Sequence, residues 1–308
     1  MKILIVCSKN SGRIAPFILE QGEALRRAGV EIDYFGIEGK GWRGYLRNRK
    51  GLLNKINQFK PLLIHAHYSL SGLLANSQRR VPVVTTYHGS DINDKKVFPL
   101  SKINMLLSAY NIFVSEKNRR KSGLTKKQAL IPCGVDLEKF IPMEKNTACE
   151  MLGLDLNQKL VLFAGAFDNA VKNPTLAKEA ASRIENLNLL ELKNYSREEV
   201  VLLMNAVDAC LMTSFTEGSP QFIKEAMACN CPVVSVPVGD VPEVLEGVAG
   251  CYIADYEAAD VAEKLIRALN YGKRTEGRQR ILERGIDSET VAKRILEIYA
   301  GLIMNDEL

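Results

Sequence analysis

The stretch with the most chemical promise is SFTEGSPQFIKEAMACNCPVV at 214–234. Ser219 is a good N-cap and Pro220 a good first helical residue, so a helix is expected to open just after an apolar strand ending near residue 213. Free N–H groups and the partial positive charge at such a helix start suit a diphosphate. Glu217, just before the helix, and Glu225, on it, can accept hydrogen bonds from sugar and ribose hydroxyls. The alternative is a capped surface helix carrying two ordinary exposed glutamates, and spacing alone leaves both open. A second cluster, His88-Gly89-Ser90-Asp91, follows the apolar run VVTTY, where an imidazole or its backbone carbonyl can meet a ligand. Asp91 can orient His88, contact an acceptor, or simply form a turn. His65 and His67 alternate onto one face of a strand and read as cleft lining or packing, not as metal ligands. Cys229 and Cys231 are the only close cysteine pair, and with three histidines in the chain no zinc set is expected.

These residues need a scaffold that brings loop ends together, and the hydrophobic pattern supplies one. Strands are expected at 2–7, 30–36, 62–66, 83–87, 111–115 and 128–131, with helices up to Gly29, at 42–59 and at 70–78. The same grammar restarts at 159–164 and runs through helix 174–185, strand 188–192, helix 196–206, strand 208–213, helix 220–229, strand 232–236 and helix 241–247. Repeated βα units with helical crossovers imply parallel sheets covered on both faces. The expected fold is therefore α/β, with two doubly wound domains, 1–142 and 143–308, joined near Pro142 to Asn146 and facing across a cleft. Ligands in such sheets sit beyond the carboxyl ends of strands, which directs attention to the loops at 8–13, 87–91, 165–173 and 214–219. The last helix, 288–304, can pack on either domain.

Composition bounds the class. The chain has 308 residues, 46% hydrophobic and 25% charged, which fits two globular domains and excludes disordered or collagen-like chains. No apolar run approaches a membrane span, and Ile3 to Cys7 breaks at once into Ser8-Lys9-Asn10, against a signal peptide. Seven cysteines without a C-x-x-C fit a reducing cytoplasm. The net charge of +5 hides an asymmetry: residues 1–142 hold 24 Lys/Arg against 10 Asp/Glu, and residues 143–308 hold 17 against 26. An anionic partner for the first half follows. Residues 40–60 carry seven Lys/Arg and no acid, with Trp42, Tyr45, Leu46, Leu53, Ile56 and Phe59 at helical spacing. That pattern suits an anionic membrane surface or, equally, a core-facing helix with a solvated face. Nucleic-acid binding is not expected, since one tryptophan and no binding motif accompany the charge.

The run EGSPQFIKEAMACNCPVV at 217–234, with seven residues between its two glutamates, resembles the donor-binding signature of retaining, family-4-like glycosyltransferases of the GT-B fold. Supporting pieces stand in order at TTYHGSD (85–91), IPCGVDLEKFIP (131–142), LFAGAFDNAVKN (162–173), SREEVVLLMNAVDACLMTS (196–214) and VGDVPEVL (238–245). The resemblance implies that Glu225 binds the nucleotide ribose and that Glu217, with the backbone of Gly218 and Ser219, binds the donor sugar and its phosphates. Lys172 matches the lysine that neutralises the diphosphate, Gly165 closes the strand before it, and His88 is placed toward the donor sugar. Gly12 alone represents the glycine-rich first loop. The arginine usual shortly after Gly165 is replaced by Ala166 or Phe167, and Arg13 is one candidate to supply the missing phosphate contact. Residues 186–196 are shorter than the pattern and lack its G-x-G, which leaves UDP against GDP open.

The activity so implied is transfer of a sugar from a nucleotide-diphosphate donor to an acceptor hydroxyl with retention, by front-face displacement without a tightly bound metal or other cofactor. The basic half suits a phosphate-bearing acceptor such as a lipid-linked glycan, at the inner face of the cell membrane, in surface polysaccharide or glycolipid assembly. Alternatives are a sugar-nucleotide epimerase of related fold and a degenerate sugar-nucleotide binding module.

Overall fold

A computed structural model describes residues 1–306. The chain divides into two compact units, one made of Met1–Gly134 with the final helix, the other of Val135–Asp287.

The first unit is built on six strands, β1 (Lys2–Ser8), β2 (Glu31–Ile37), β3 (Leu63–His67), β4 (Val83–Tyr87), β5 (Tyr110–Phe113) and β6 (Gln128–Leu130). All pairs are parallel and the order is β2-β1-β3-β4-β5-β6. β1, β3 and β4 are buried almost throughout, because helices cover both faces and each strand must then be apolar on both sides. The polar exceptions on β3 and β4 are His65, His67, Thr85 and Thr86, all buried. Thr85 enters a network with Asn76, Tyr87, Asn104, Ser108 and Asn111. Asn104 Nδ2 donates to the Tyr87 hydroxyl at 2.8 Å, Asn76 Nδ2 to Asn104 Oδ1 at 2.9 Å, and the Tyr87 hydroxyl to Asn111 Oδ1 at 3.0 Å. Buried polar groups are tolerable only when paired in this way, and the pairing fixes β4 against its two flanking helices. Gly72 belongs to the same device, since a Cβ there would land on the Asn104 amide.

The second unit has five strands, β7 (Lys159–Phe163), β8 (Leu187–Glu191), β9 (Ala209–Met212), β10 (Val233–Ser235) and β11 (Tyr252–Ile253). They are again all parallel, in the order β11-β10-β9-β7-β8. The chain leaves β7 toward β8 on one side and returns to β9 on the other, so the loops after β7 and β9 flank a topological switch point.

Two expectations from the sequence are revised, and the placement of the final helix, left open there, is settled. The units join at Gly134/Val135, not at 142/143: Val135 N donates to the Ile286 carbonyl at 3.1 Å, Phe140 is fully buried in the second core, and the Arg278 guanidinium holds the carbonyls of Leu137 and Phe140 at 2.7 Å each. The final helix, Ser288–Asp306, belongs to the first unit, where Val291, Ala292, Ile295 and Tyr299 join the cluster of Ile3, Ile5, Ile18 and Leu25. The helix expected at 42–59 is two helices, Gly41–Leu46 and Arg49–Phe59. Asn48 Nδ2 donates to the carbonyls of Glu38 and Gly44, both at 2.9 Å, and turns the chain between them. The apolar stripe is split as well: Tyr45, Leu52 and Ile56 enter the core, while Trp42 and Leu46 stay exposed.

Candidate functional site

In the second unit the site grows out of the switch point. β7 is a buried apolar strand that ends at Ala164-Gly165, and the chain then makes a short 3-10 turn, Ala170–Lys172. A Cβ at Gly165 would lie 2.8 Å from Lys172 Cγ, so glycine is what lets the lysine stem pass the strand end. The loop after β9 is sewn to this turn: Thr213 Oγ1 is 3.0 and 2.9 Å from the carbonyls of Lys172 and Asn173, and Phe215 N donates to the Val171 carbonyl at 3.0 Å. The result is that Lys172 Nζ donates to Glu217 Oε1 at 2.6 Å, with both side chains mostly shielded.

The helix following Glu217 is Gln221–Ala228, with Pro220 at its N-cap. Ser219 therefore does not cap it, contrary to expectation. Its hydroxyl is turned inward, donating to Asp240 Oδ2 at 2.6 Å and accepting from Lys224 Nζ. Lys224 is completely buried, and its ammonium is 3.4 Å from Asp240. A buried cation of this kind is tolerable only with a charged partner and further hydrogen bonds, so Ser219, Lys224 and Asp240 form one unit that fixes the loop shape. Gly239, at φ +63°, makes the close approach possible: a Cβ there would be 2.6 Å from the Gly218 carbonyl oxygen.

Glu225 is buried and pairs with Arg197, whose guanidinium is 2.5 Å from Glu225 Oε1 and lies over the Phe140 ring at 4.9 Å. Sequence reasoning missed Arg197. A signal was present, because Arg197 is the first residue of a helix capped by Ser196 and Glu199, where the helix dipole disfavours a cation unless an acid is near. Of the two residues after Gly165, Phe167 is stacked near Phe163 and under Lys178, with its N–H donated to Glu191 Oε2 at 2.7 Å.

In the first unit, His67 at the end of β3 and His88 just after β4 are brought together by the parallel register, with His67 Nδ1 2.9 Å from His88 Nε2. The rings of His65, His67 and His88 form a stacked column, with centroids 4.7 and 5.2 Å apart. His65 is anchored by the Tyr299 hydroxyl at 2.5 Å and Thr86 Oγ1 at 2.7 Å, and His88 is flanked by Phe17 and Tyr68. Tyr68 has φ 71° and ψ 151°, a conformation at ease only for glycine.

Asp91 does not face outward as an acceptor ligand would require. It is buried, and its carboxylate accepts from Gly89 N at 3.0 Å and Ser69 N at 3.2 Å, which pins the 88–91 loop to the start of the next helix. Burial pushes its pKa up to about 7 despite these bonds. Gly12 sits exposed at φ +82°, and the guanidinium of Arg13, also exposed, has no partner among the described residues. All seven cysteines are free, and among the described residues no three His, Cys, Asp or Glu side chains are grouped to hold a metal. No helix among them is long and apolar enough to cross a membrane.

The two doubly wound units define a GT-B architecture, and solved structures match it over nearly the whole chain. Sucrose-phosphate synthase from Thermosynechococcus elongatus superposes with a TM-score of 0.83 over 99% of both chains at 19% identity. Anabaena HepE in complex with UDP-glucose gives 0.75 over 98% of this chain and 100% of that one at 16% identity. At sequence level, residues 161–271 match the glycosyl transferases group 1 model and residues 18–139 the glycosyltransferase family 4 model. The chain thus carries a region matching glycosyltransferase family 4 followed by one matching glycosyl transferases group 1. Curated relatives include a D-inositol 3-phosphate glycosyltransferase of Mycolicibacterium smegmatis, 24% identical over 68% of this chain and 59% of that protein. Another is a Bacillus subtilis protein named as a teichuronic acid biosynthesis glycosyltransferase, TuaC, 25% identical over 67% of this chain and 61% of that one. The chain thus spans about three-fifths of the length of these relatives.

The buried groups of the first unit give that unit a pH signature. Burial lowers the pKa of His65 from 6.5 to about 3, and that of His67 well below 6.5, so both are neutral when folded and charged when unfolded at mildly acidic pH. Their contribution is complete above pH 6.5 and is lost as pH falls below it. Asp91 acts oppositely, since its raised pKa makes the fold bind a proton between about pH 4 and 7 that the unfolded chain does not. With two histidines acting against one aspartate, unfolding takes up protons on balance as pH falls below 6.5, and stability falls with it. Trp42, the one tryptophan, reports the first unit by fluorescence. Its urea midpoint is expected to fall steadily from pH 6.5 to 4.5; a constant or rising midpoint contradicts the buried neutral pair.

Proposed function

We propose that this chain transfers a sugar from a nucleotide-diphosphate donor to an acceptor hydroxyl, with retention of anomeric configuration. The observation that carries the reading is the Lys172–Glu217 pair, 2.6 Å apart at the switch point of the second sheet and held there by Thr213. A cation and a carboxylate that satisfy each other are well suited to change partners, Lys172 to the diphosphate and Glu217 to sugar hydroxyls. Glu225, paired with Arg197, is assigned to the ribose. That HepE holds UDP-glucose makes uridine the first base to test.

In the step proposed, the bond from the anomeric carbon to the diphosphate oxygen breaks as the acceptor oxygen bonds to the same face. The acceptor proton passes to a phosphate oxygen, so no side-chain base is required. Lys172 and the N–H groups of Gly218 and Ser219 offset the charge that develops on the leaving diphosphate. The first unit, with its excess of basic residues, is assigned to an anionic acceptor. The names of two relatives support this, one a D-inositol 3-phosphate glycosyltransferase and one a teichuronic acid biosynthesis glycosyltransferase, a phosphate and an acid by name. A lipid-linked glycan at the inner face of the cell membrane, in polysaccharide or glycolipid assembly, is the acceptor class we favour. Exposed Trp42 and Leu46 beside Arg43 and Arg47 then form a contact with anionic headgroups.

Two tests follow. Calorimetric titration with UDP, GDP and ADP should show saturable binding of one nucleotide. Glu225→Ala should weaken it about ten- to a hundredfold, and Lys172→Ala should slow transfer about a hundredfold or more. Binding without turnover on any acceptor would favour the binding-module reading, which the absence of an arginine at Ala166 and Phe167 motivates; wild-type constants in both variants would remove the site assignment. Separately, the chain should pellet with anionic but not neutral vesicles, and Trp42→Ser should abolish the difference. Pelleting independent of lipid charge would end the membrane proposal.

A further inference from the structure

We propose that His67 is a positioning residue: its Nδ1–H donates to His88 Nε2 and locks the His88 ring in the Nδ1–H tautomer. Of the two histidines, His67 is the one with no access to solvent, and its Nε2 is buried without a partner. A neutral imidazole carries a single N–H. Placing that proton on Nε2 would strand a buried donor, whereas placing it on Nδ1 leaves only an unpaired acceptor, and orphaned N–H groups are the rarer case in native proteins. The proton therefore belongs on Nδ1, aimed at His88 Nε2 at 2.9 Å. His88 must then accept at Nε2 and carry its own proton on Nδ1, which lies 3.6 Å from Cys133 Sγ.

The surroundings are arranged to hold this geometry. On the β3 side His65 stacks on His67 and is itself fixed by Tyr299 from the final helix and Thr86 from β4. From the 88–91 loop, the Asp91 carboxylate is spent on the amides of Gly89 and Ser69 and is not offered to either imidazole in these bonds. Phe17 and Tyr68 close on the His88 ring at 4.9 and 4.6 Å. Tyr68 does so from a strained backbone, held by Tyr68 N to the Thr86 carbonyl at 2.9 Å and Gly72 N to the Tyr68 carbonyl at 3.0 Å. Backbone strain that the neighbouring bonds over-determine is a mark of functional sites, and here it sets an aromatic ring against His88. The consequence, which rests on the transferase reading above, is that His88 acts as a fixed neutral group and not as a general acid or base.

The chain has only three histidines, so the intact protein labelled with imidazole nitrogen-15 gives three ring systems by NMR. Above pH 7.5, His88 should show a protonated, pyrrole-type Nδ1 and an unprotonated, pyridine-type Nε2. His67→Asn keeps an N–H donor near the Nδ1 position and should preserve that pattern. His67→Leu removes the donor and should let His88 drift to the Nε2–H form that free imidazoles favour, with kcat down about tenfold and donor KM unchanged. A pyrrole-type His88 Nε2 in the wild type overturns the proposal, and this needs no variant to fold; so does an identical His88 spectrum in the Asn and Leu variants. If the expected tautomer is found in a chain that transfers no sugar, the functional reading fails and the tautomer assignment stands.

Discussion

Much of the second unit follows from one constraint, the requirement that Lys172 and Glu217 satisfy each other at the edge of a buried parallel sheet. The strands that end there are apolar on both faces, so polar groups can emerge only beyond their carboxyl ends. Because β7 and β9 are neighbours although β8 lies between them in sequence, the loops that follow them meet, and Thr213 ties one to the other. A mostly shielded ammonium or carboxylate left alone would be costly, and the pairing removes that cost while leaving both groups exchangeable. The Arg197–Glu225 pair repeats the logic a short way on, with Glu225 on the helix that follows Glu217. Lys224 and Asp240 differ in kind: buried and bridged by Ser219, they shape the loop.

The first unit solves a different problem. β4 must deliver His88 and the 88–91 loop to a defined place, and it is fixed from behind by a polar network instead of an apolar plug. Asn104 and Asn76 link two helices to Thr85 and Tyr87, so a shift of β4 would break several hydrogen bonds at once. On the opposite side of the same strand, the histidine column runs from Tyr299 on the final helix to His88. The return of that helix to the first unit is thus tied directly to the surroundings of His88.

Strands and helices were largely legible because parallel sheets and amphipathic helices write their periods into the chain, and the interval from Glu217 to Glu225 pointed to the site through its family resemblance. What could not be read were contacts that depend on a partner distant in sequence. Lys224 looks like an ordinary solvent-facing lysine until Asp240 is placed beside it, and Ser219 looks like an N-cap until its hydroxyl is drawn to the same pair. The unit boundary was misplaced because the proline-containing segment near 142 resembles a linker, whereas Arg278, 138 residues after Phe140, binds the carbonyls that assign 135–142 to the second unit. The break at Asn48 depends on a side chain reaching back to Gly44 and Glu38, which periodicity does not encode.

The central claim is that a nucleoside diphosphate is held by the loops after β7 and β9 and by the helix Gln221–Ala228. Hydrogen exchange followed by mass spectrometry, with and without saturating UDP or GDP, tests it most directly. The account predicts slowed exchange at 165–173 and 214–225, with β10 and β11 unaffected. Binding that leaves those two segments unprotected, or protects other parts of the second unit instead, would contradict it.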